Sequence, residues 1–120
     1  MTEITIGERR YRLDAVERDG RWIAHAVRED TGKPFGIDCG GPTWDDAIAR
    51  LSGWLAWQSD HAAAIEALQI AQRAYHRTVA GSAFANPVGD PAALELQKES
   101  LVAVEAARVR LDAVRARKPE

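Results

Sequence analysis

Three histidines and a single cysteine are the side chains best suited to metal binding or nucleophilic catalysis in this chain. His61 and His76 stand fifteen residues apart, so on one helix they would be separated by about 22 Å along the axis and could not share a metal ion. Cys39 precedes a predicted helix start, where a thiolate is favoured, although a small buried or half-buried side chain is the simpler interpretation. We therefore expect no metal, no cofactor and no catalytic group. The enzyme alternative would need a polar pocket around His25, Cys39 and His61.

The adjacent carboxylates of Asp45 and Asp46 would suit acid–base catalysis if they lined a pocket. They also fall in the first turn of a predicted helix, where acidic side chains stabilise the positive end of the helix dipole. The Thr43 hydroxyl can cap that helix, and the side chain of Asp46, three residues further on, can form a hydrogen bond back to the cap residue. Capping explains both acids. The sequence has no phosphate-binding glycine loop, no paired-histidine zinc signature and no nucleophile placed beside a histidine.

Four aromatic side chains are candidates for binding a protein partner, because aromatic residues are enriched at the centres of protein interfaces. They are Trp54, Trp57, Tyr75 and Phe84. The two tryptophans have an alternative role, which is to cover a seam between helices or the end of a sheet. Phe84 has one as well, because it can fold back onto the end of a helix pair. Both interpretations stay open at this point.

Composition and charge indicate a single globular domain, with 120 residues of which 46% are hydrophobic and 28% charged. The 16 basic and 18 acidic residues are spread along the chain, so there is no general attraction for nucleic acid or anionic membranes. No apolar run approaches the roughly 20 residues of a membrane span, and the first twelve residues do not resemble a signal peptide. Cys39 has no partner for a disulfide within the chain. We expect a cytoplasmic protein that binds neither nucleic acid nor membrane.

Residues 43–80 are predicted to form one long helix, because they lack proline and are rich in alanine, leucine and isoleucine. One apolar stripe is predicted to face a sheet and consists of Trp44, Ile48, Leu51 and Leu55. A second is predicted to face a later helix and consists of Trp54, Trp57, Ala64, Leu68, Tyr75 and Val79, with Ile65 between the two stripes. Gly53 is expected to mark a close backbone approach or a slight bend. The alternative to a continuous helix is a break, with a new cap at Ser59 or Asp60.

Residues 1–42 are predicted to form an antiparallel meander of three or four strands. Residues 2–6 alternate as a strand, residues 9–17 continue in the same pattern, and residues 35–39 form the last strand. Asp19-Gly20 is the strongest turn signal. A two-residue loop there predicts the pairs Glu17–Trp22, Ala15–Ala24, Leu13–Ala26, Val16–Ile23 and Arg12–Val27.

Residues 81–90 are predicted to be a loop, and residues 91–117 a second helix that begins with Asp90 as cap and Pro91 at the first position. The apolar residues of its predicted seam are Leu94, Leu101, Val104, Ala107, Leu111 and Val114. The basic residues near its end are interleaved with acids, which indicates a solvated face. The two helices should pair as an antiparallel hairpin.

Residues 11–55 resemble the N-terminal domain of HicB-like antitoxins. The similarity lies in Tyr11, in the run Asp19-Gly20 followed by Trp22-Ile23-Ala24, and in the run Gly41-Pro42-Thr43-Trp44-Asp45-Asp46-Ala47-Ile48 that enters the helix. The resemblance implies a strand-rich meander that ends in a helix, together with binding of protein partners. The chain departs from that family after Asp60, where nothing resembles a DNA-binding tail.

Together these features predict an α+β protein in which a small antiparallel meander packs on a long helix that continues into an antiparallel helical hairpin. The favoured function is a non-catalytic protein-interaction module, HicB-like in its N-terminal half. Its hairpin would form a homodimer, closing as a four-helix bundle, or bind another protein. The alternative is a structural or assembly subunit of a larger complex, of phage or defence origin, and a small enzyme is the third possibility.

Overall fold

The computed structural model describes residues 2–84 and 91–119, and within the last turn of the first helix, residues 81–84, it describes the backbone only. The elements are strands β1 (Thr2–Ile6), β2 (Arg9–Arg18), β3 (Arg21–Arg28) and β4 (Pro34–Gly41) and helices α1 (Trp44–Phe84) and α2 (Pro91–Ala116). The predicted α+β fold is confirmed. The chain divides into two compact units, one made of Met1–Ser59 with Lys118–Glu120 and the other of Asp60–Arg117.

The sheet is a four-stranded antiparallel meander with the strand order β1-β2-β3-β4. Asp19 and Gly20 both have positive φ, 51° and 80°, as a two-residue turn between twisted strands requires. This turn sets the register of β2 and β3. All five predicted pairs are confirmed, namely Glu17–Trp22, Val16–Ile23, Ala15–Ala24, Leu13–Ala26 and Arg12–Val27.

β4 carries a bulge that the sequence pattern did not indicate. Ala24 pairs with Cys39 and Ala26 with Phe35, so residues 36–38 of β4 lie opposite His25 alone. Gly36 has a φ of 84°, a conformation that side-chain-bearing residues rarely adopt. The bulge therefore depends on a glycine and breaks the regular ladder near the middle of the strand.

The core of the first unit lies between one face of the sheet and the start of α1. Its buried residues are Tyr11, Leu13, Ala15, Ala24, Ala26, Ala47, Ile48, Leu51 and Leu55, with Trp44 and Trp54 partly buried against them. The first predicted stripe, which contains Ile48, Leu51 and Leu55, thus faces the sheet as expected. The assignment of Trp54 to the second stripe is wrong, because its indole packs against this core.

α1 begins at the predicted cap and is continuous through Ser59 and Asp60. The Thr43 hydroxyl accepts a hydrogen bond from the Asp46 backbone N–H at 3.1 Å and donates one to the Asp46 carboxylate at 2.9 Å. The helix ends at Phe84, four residues beyond the predicted end, so Gly81 does not stop it. No described atom lies within 4 Å of where a Gly53 Cβ would be, so a close backbone approach there is excluded.

In the second unit α2 packs against the later part of α1 as an antiparallel hairpin. Ala64 lies twenty residues before the end of α1, and Leu111 twenty residues after the start of α2. Both side chains are buried, Ala64 at 0% and Leu111 at 4% exposure. Val104 and Val114 are buried on the same face of α2 as Leu111.

The seam of α2 differs from the predicted one at its N-terminal end. Half-buried or buried residues recur in alternating steps of four and three, at positions 93, 97, 100, 104, 107, 111 and 114. The predicted seam passed from Ala107 to Val104 and then to Leu101, which are two consecutive steps of three. On a helix this places Leu101 to one side of the seam. Leu94 and Leu101 are accordingly 52% and 42% exposed, so placing them in the seam is wrong.

Candidate functional site

A hollow of about 390 Å³ lies in the first unit, between the bulged part of β4 and one face of α1. We call it the β4–α1 hollow. Its lining residues are Ile37, Asp38, Cys39 and Gly40 from β4, Arg50, Trp54 and Trp57 from α1, and Lys118 and Pro119 from the C-terminal segment.

The bulge and the indole of Trp54 are fitted to each other at one wall of this hollow. A Cβ at Gly36 would lie 2.7 Å from Trp54 Cζ3, which is closer than side chains tolerate. Since only hydrogen occupies that position, the indole can lie directly against the bulged backbone. Close packing on this side positions Trp54, and the next turn of α1 brings Trp57 to the hollow.

The electrostatics of the hollow are mainly cationic. Arg50 Nη1 donates a long hydrogen bond to the Gly40 carbonyl oxygen at 3.4 Å, and the Lys118 ammonium lies 5.8 Å from the centre of the Trp57 ring. Asp38 is the acidic residue of the lining. The hollow thus combines two aromatic walls with two cations and one carboxylate.

Cys39 is half-buried in the hollow, as expected of a small filler. Burial raises the pKa of its thiol, an effect that the nearby positive charge of Arg50 opposes and Asp38 reinforces. A raised pKa keeps the thiol protonated near neutral pH, and the thiolate is the nucleophilic form. The environment of Cys39 therefore disfavours nucleophilic catalysis.

The four predicted partner-binding residues fall in different places. Trp54 and Trp57 both line the β4–α1 hollow. Tyr75 is half-buried in the second unit, where its carbonyl oxygen accepts a 2.6 Å hydrogen bond from the Thr78 hydroxyl. Phe84 closes α1, but its side chain lies outside the described residues, as do residues 85–90 of the loop predicted for residues 81–90. Partner binding by these residues stays a prediction.

The residues proposed for the enzyme alternative do not meet in this hollow. Cys39 lines it, whereas His25 and His61 are not among its lining residues. Within residues 2–84 and 91–119, no group of three or more histidine, cysteine, aspartate or glutamate side chains is arranged to hold a metal ion. No helix in those ranges combines the length and apolar character needed to cross a membrane.

A second candidate site is a set of exposed apolar side chains on α2, which we call the exposed apolar face of α2. It consists of Leu94, Leu101, Val102 and Val109. Val102 and Val109 are 64% and 68% exposed, more than any other large hydrophobic residue of the described chain. The sequence signal for this face is a spacing of seven residues, which separates Leu94 from Leu101 and Val102 from Val109.

Comparison with protein-family models, with characterised proteins and with solved structures gives no match for this chain. The β4–α1 hollow and the exposed apolar face of α2 are the two candidate functional sites of the described residues.

Proposed function

We propose that this chain is a non-catalytic protein-interaction module that forms a homodimer through its helical hairpin, with the exposed apolar face of α2 lying against the same face of a second copy. We also propose that residues 11–55 are HicB-like. A meander followed by a capped helix, which that resemblance implies, supports this proposal. The observation that carries the proposal is the exposed apolar face of α2.

The positions of these side chains around the helix explain why one neighbouring helix does not cover them. At 100° per residue, Val102 and Val109 lie about 170° from the centre of the α2 seam, and Leu94 and Leu101 lie about 100° from it. The seam itself is already occupied by Val104, Leu111 and Val114. A helix that is apolar on several faces is typical of a helix surrounded by others, which favours assembly with further helices.

The exposed apolar face of α2 contributes part of the free energy that a dimer needs. Burying a whole valine side chain contributes about 1.5–3 kcal/mol, so covering the exposed part of Val102 or Val109 contributes about 1–2 kcal/mol. Two valines from each of two chains then contribute about 4–8 kcal/mol before the entropy of association is subtracted. Leu94 and Leu101 add to this. A second copy supplies a matching apolar surface by symmetry.

Light scattering and sedimentation test the proposal on the full chain. We expect a mass twice the 13.2 kDa of one chain as the concentration approaches about 1 mM. Val102→Glu introduces a charge into both halves of the interface and should weaken dimerisation by about 100-fold or more. A monomer at high concentration would remove the basis of the proposal. A monomer that co-purifies with one larger protein in fixed ratio would favour the assembly-subunit alternative.

Leu96→Glu is the matched control, because it places the same charge on the same helix at another exposed leucine. Leu96 is 54% exposed and lies about 120° around the helix from Val102. We expect it to leave the dimer intact. Equal disruption by both variants would show that the exposed apolar face of α2 is not the specific contact.

A further inference from the structure

The β4–α1 hollow has the size and lining of a ligand site, and dimerisation through α2 makes no use of it. Its volume of about 390 Å³ falls within the range of small-molecule sites, which are mostly apolar with a few placed polar groups. Trp54, Trp57 and Ile37 supply apolar surface, and indole rings favour stacking with another flat ring.

Two cations border this apolar surface, and within the described residues neither has a carboxylate partner. In residues 2–84 and 91–119 the ion pair with defined geometry joins Arg28 to Asp30, and neither Arg50 nor Lys118 takes part in one. Arg50 makes a 3.4 Å contact with the Gly40 carbonyl oxygen, which leaves further guanidinium N–H groups for a ligand. An arginine presents a fork of donors that matches a carboxylate. The hollow is therefore suited to a ligand that carries both a ring and a negative charge.

The shape of β4 decides between a compact ligand and an added peptide strand. The outer edge of β4 has no neighbouring strand in the described sheet, so strand addition is geometrically open. The bulge at residues 36–38, with Gly36 at a φ of 84°, interrupts the regular spacing of its backbone groups. Bulges of this kind protect sheet edges against pairing. The bulge thus favours a compact ligand.

We propose that the β4–α1 hollow binds an aromatic carboxylate, with the ring against the apolar surface of Trp54 and Trp57 and the carboxylate at Arg50. The same chemistry is offered by a free aromatic acid and by an aromatic residue at the C-terminus of a peptide. This binding is independent of the proposed dimer, since its residues lie in the other unit of the chain.

Cys39 gives a direct test, because it lines the hollow and is the single cysteine of the chain. The rate of its alkylation by N-ethylmaleimide is followed by mass spectrometry on the full chain. The probes are indole-3-acetate and, as the uncharged control of equal shape, indole-3-acetamide. We expect the acid to slow alkylation in a saturable way and the amide to do so at least about tenfold more weakly, because it lacks the charge that Arg50 binds.

A second set of probes in the same experiment consists of the peptide Gly-Gly-Trp with a free carboxylate and the same peptide as its C-terminal amide. Tighter protection by the peptide acid identifies a chain terminus as the source, and tighter protection by indole-3-acetate identifies a free acid. Equal protection by an acid and its amide would overturn the proposal, as would no protection by either acid at millimolar concentration.

Arg50→Gln should weaken protection by the acid about tenfold and leave the amide unchanged. Arg50 is exposed, so the variant is expected to fold, and its circular dichroism spectrum checks this. Arg73→Gln, an exposed arginine of α1 in the other unit, is the matched control and should not change protection. Equal effects of the two substitutions would overturn the assignment of the carboxylate to Arg50.

Discussion

Replacing Gly36 by alanine tests whether the bulge and Trp54 are fitted to each other. The substitution places a Cβ on a residue with a φ of 84°. That Cβ would lie 2.7 Å from Trp54 Cζ3, 3.4 Å from Trp54 Cε3 and 3.5 Å from Leu55 Cδ2. The backbone is strained and the indole must move, so both effects lower the free energy of unfolding.

The expected magnitude has two parts. An alanine in the left-handed region costs about 1–2 kcal/mol relative to glycine. Forcing a packed side chain from its position costs about 1–3 kcal/mol. We expect Gly36→Ala to lower the free energy of unfolding by about 2–5 kcal/mol, a large fraction of the 5–15 kcal/mol typical of a native protein.

Gly32→Ala provides the control, because Gly32 has a φ of 66° but no atom within 4 Å of the added Cβ. It should show the backbone strain alone, about 1–2 kcal/mol. Urea unfolding followed by circular dichroism measures both variants. Repeating Gly36→Ala on a Trp54→Leu background should reduce its effect to the level of Gly32→Ala, since the clash is then relieved.

Equal losses for Gly36→Ala and Gly32→Ala in the otherwise unchanged chain would refute the reasoning. The bulge would then tolerate a side chain against the indole, and the described wall of the hollow would be wrong.

Two further predictions concern stability. Gly53→Ala should raise the free energy of unfolding by about 0.5–1 kcal/mol, because Gly53 is exposed in mid-helix with open space around its added Cβ; a loss in urea unfolding would contradict this. The Ala15 backbone N–H donates to the Asp14 carboxylate at 2.8 Å and lowers the pKa of that acid from its ordinary value. Its stabilising effect is therefore present above the ordinary pKa of an aspartate and lost as the pH falls through the lowered one. Asp14→Asn should make stability fall less steeply with pH in that acid range, and an unchanged slope in urea titrations at several pH values would contradict the assignment.

Local chemistry made the meander and the helix entry predictable. Asp19-Gly20 specifies a two-residue turn, and once the turn is placed, every pair between β2 and β3 follows by counting. Thr43 and Asp46 specify the start of α1 in the same way. In both cases the residues that decide the structure are neighbours in the sequence.

The β4–α1 hollow was not predictable, because its parts come from distant segments. Its walls combine a bulge at residues 36–38, a face of α1 and Lys118 with Pro119 from the far end of the chain. No local pattern brings Lys118 to Trp57, and a bulge changes the face on which residues of β4 lie. Trp54 was assigned to the wrong stripe for this reason, since helical spacing alone does not reveal that a glycine opposite makes room for an indole.

Burial along the hairpin seam is uneven. Val104, Leu111 and Val114 are buried in the second half of α2, whereas Gln97 and Ser100 occupy the equivalent positions of the first half and are half-buried. Fewer apolar contacts mean a lower free energy of local opening, so backbone amides near Pro91 should lose protection from solvent exchange before those near Leu111.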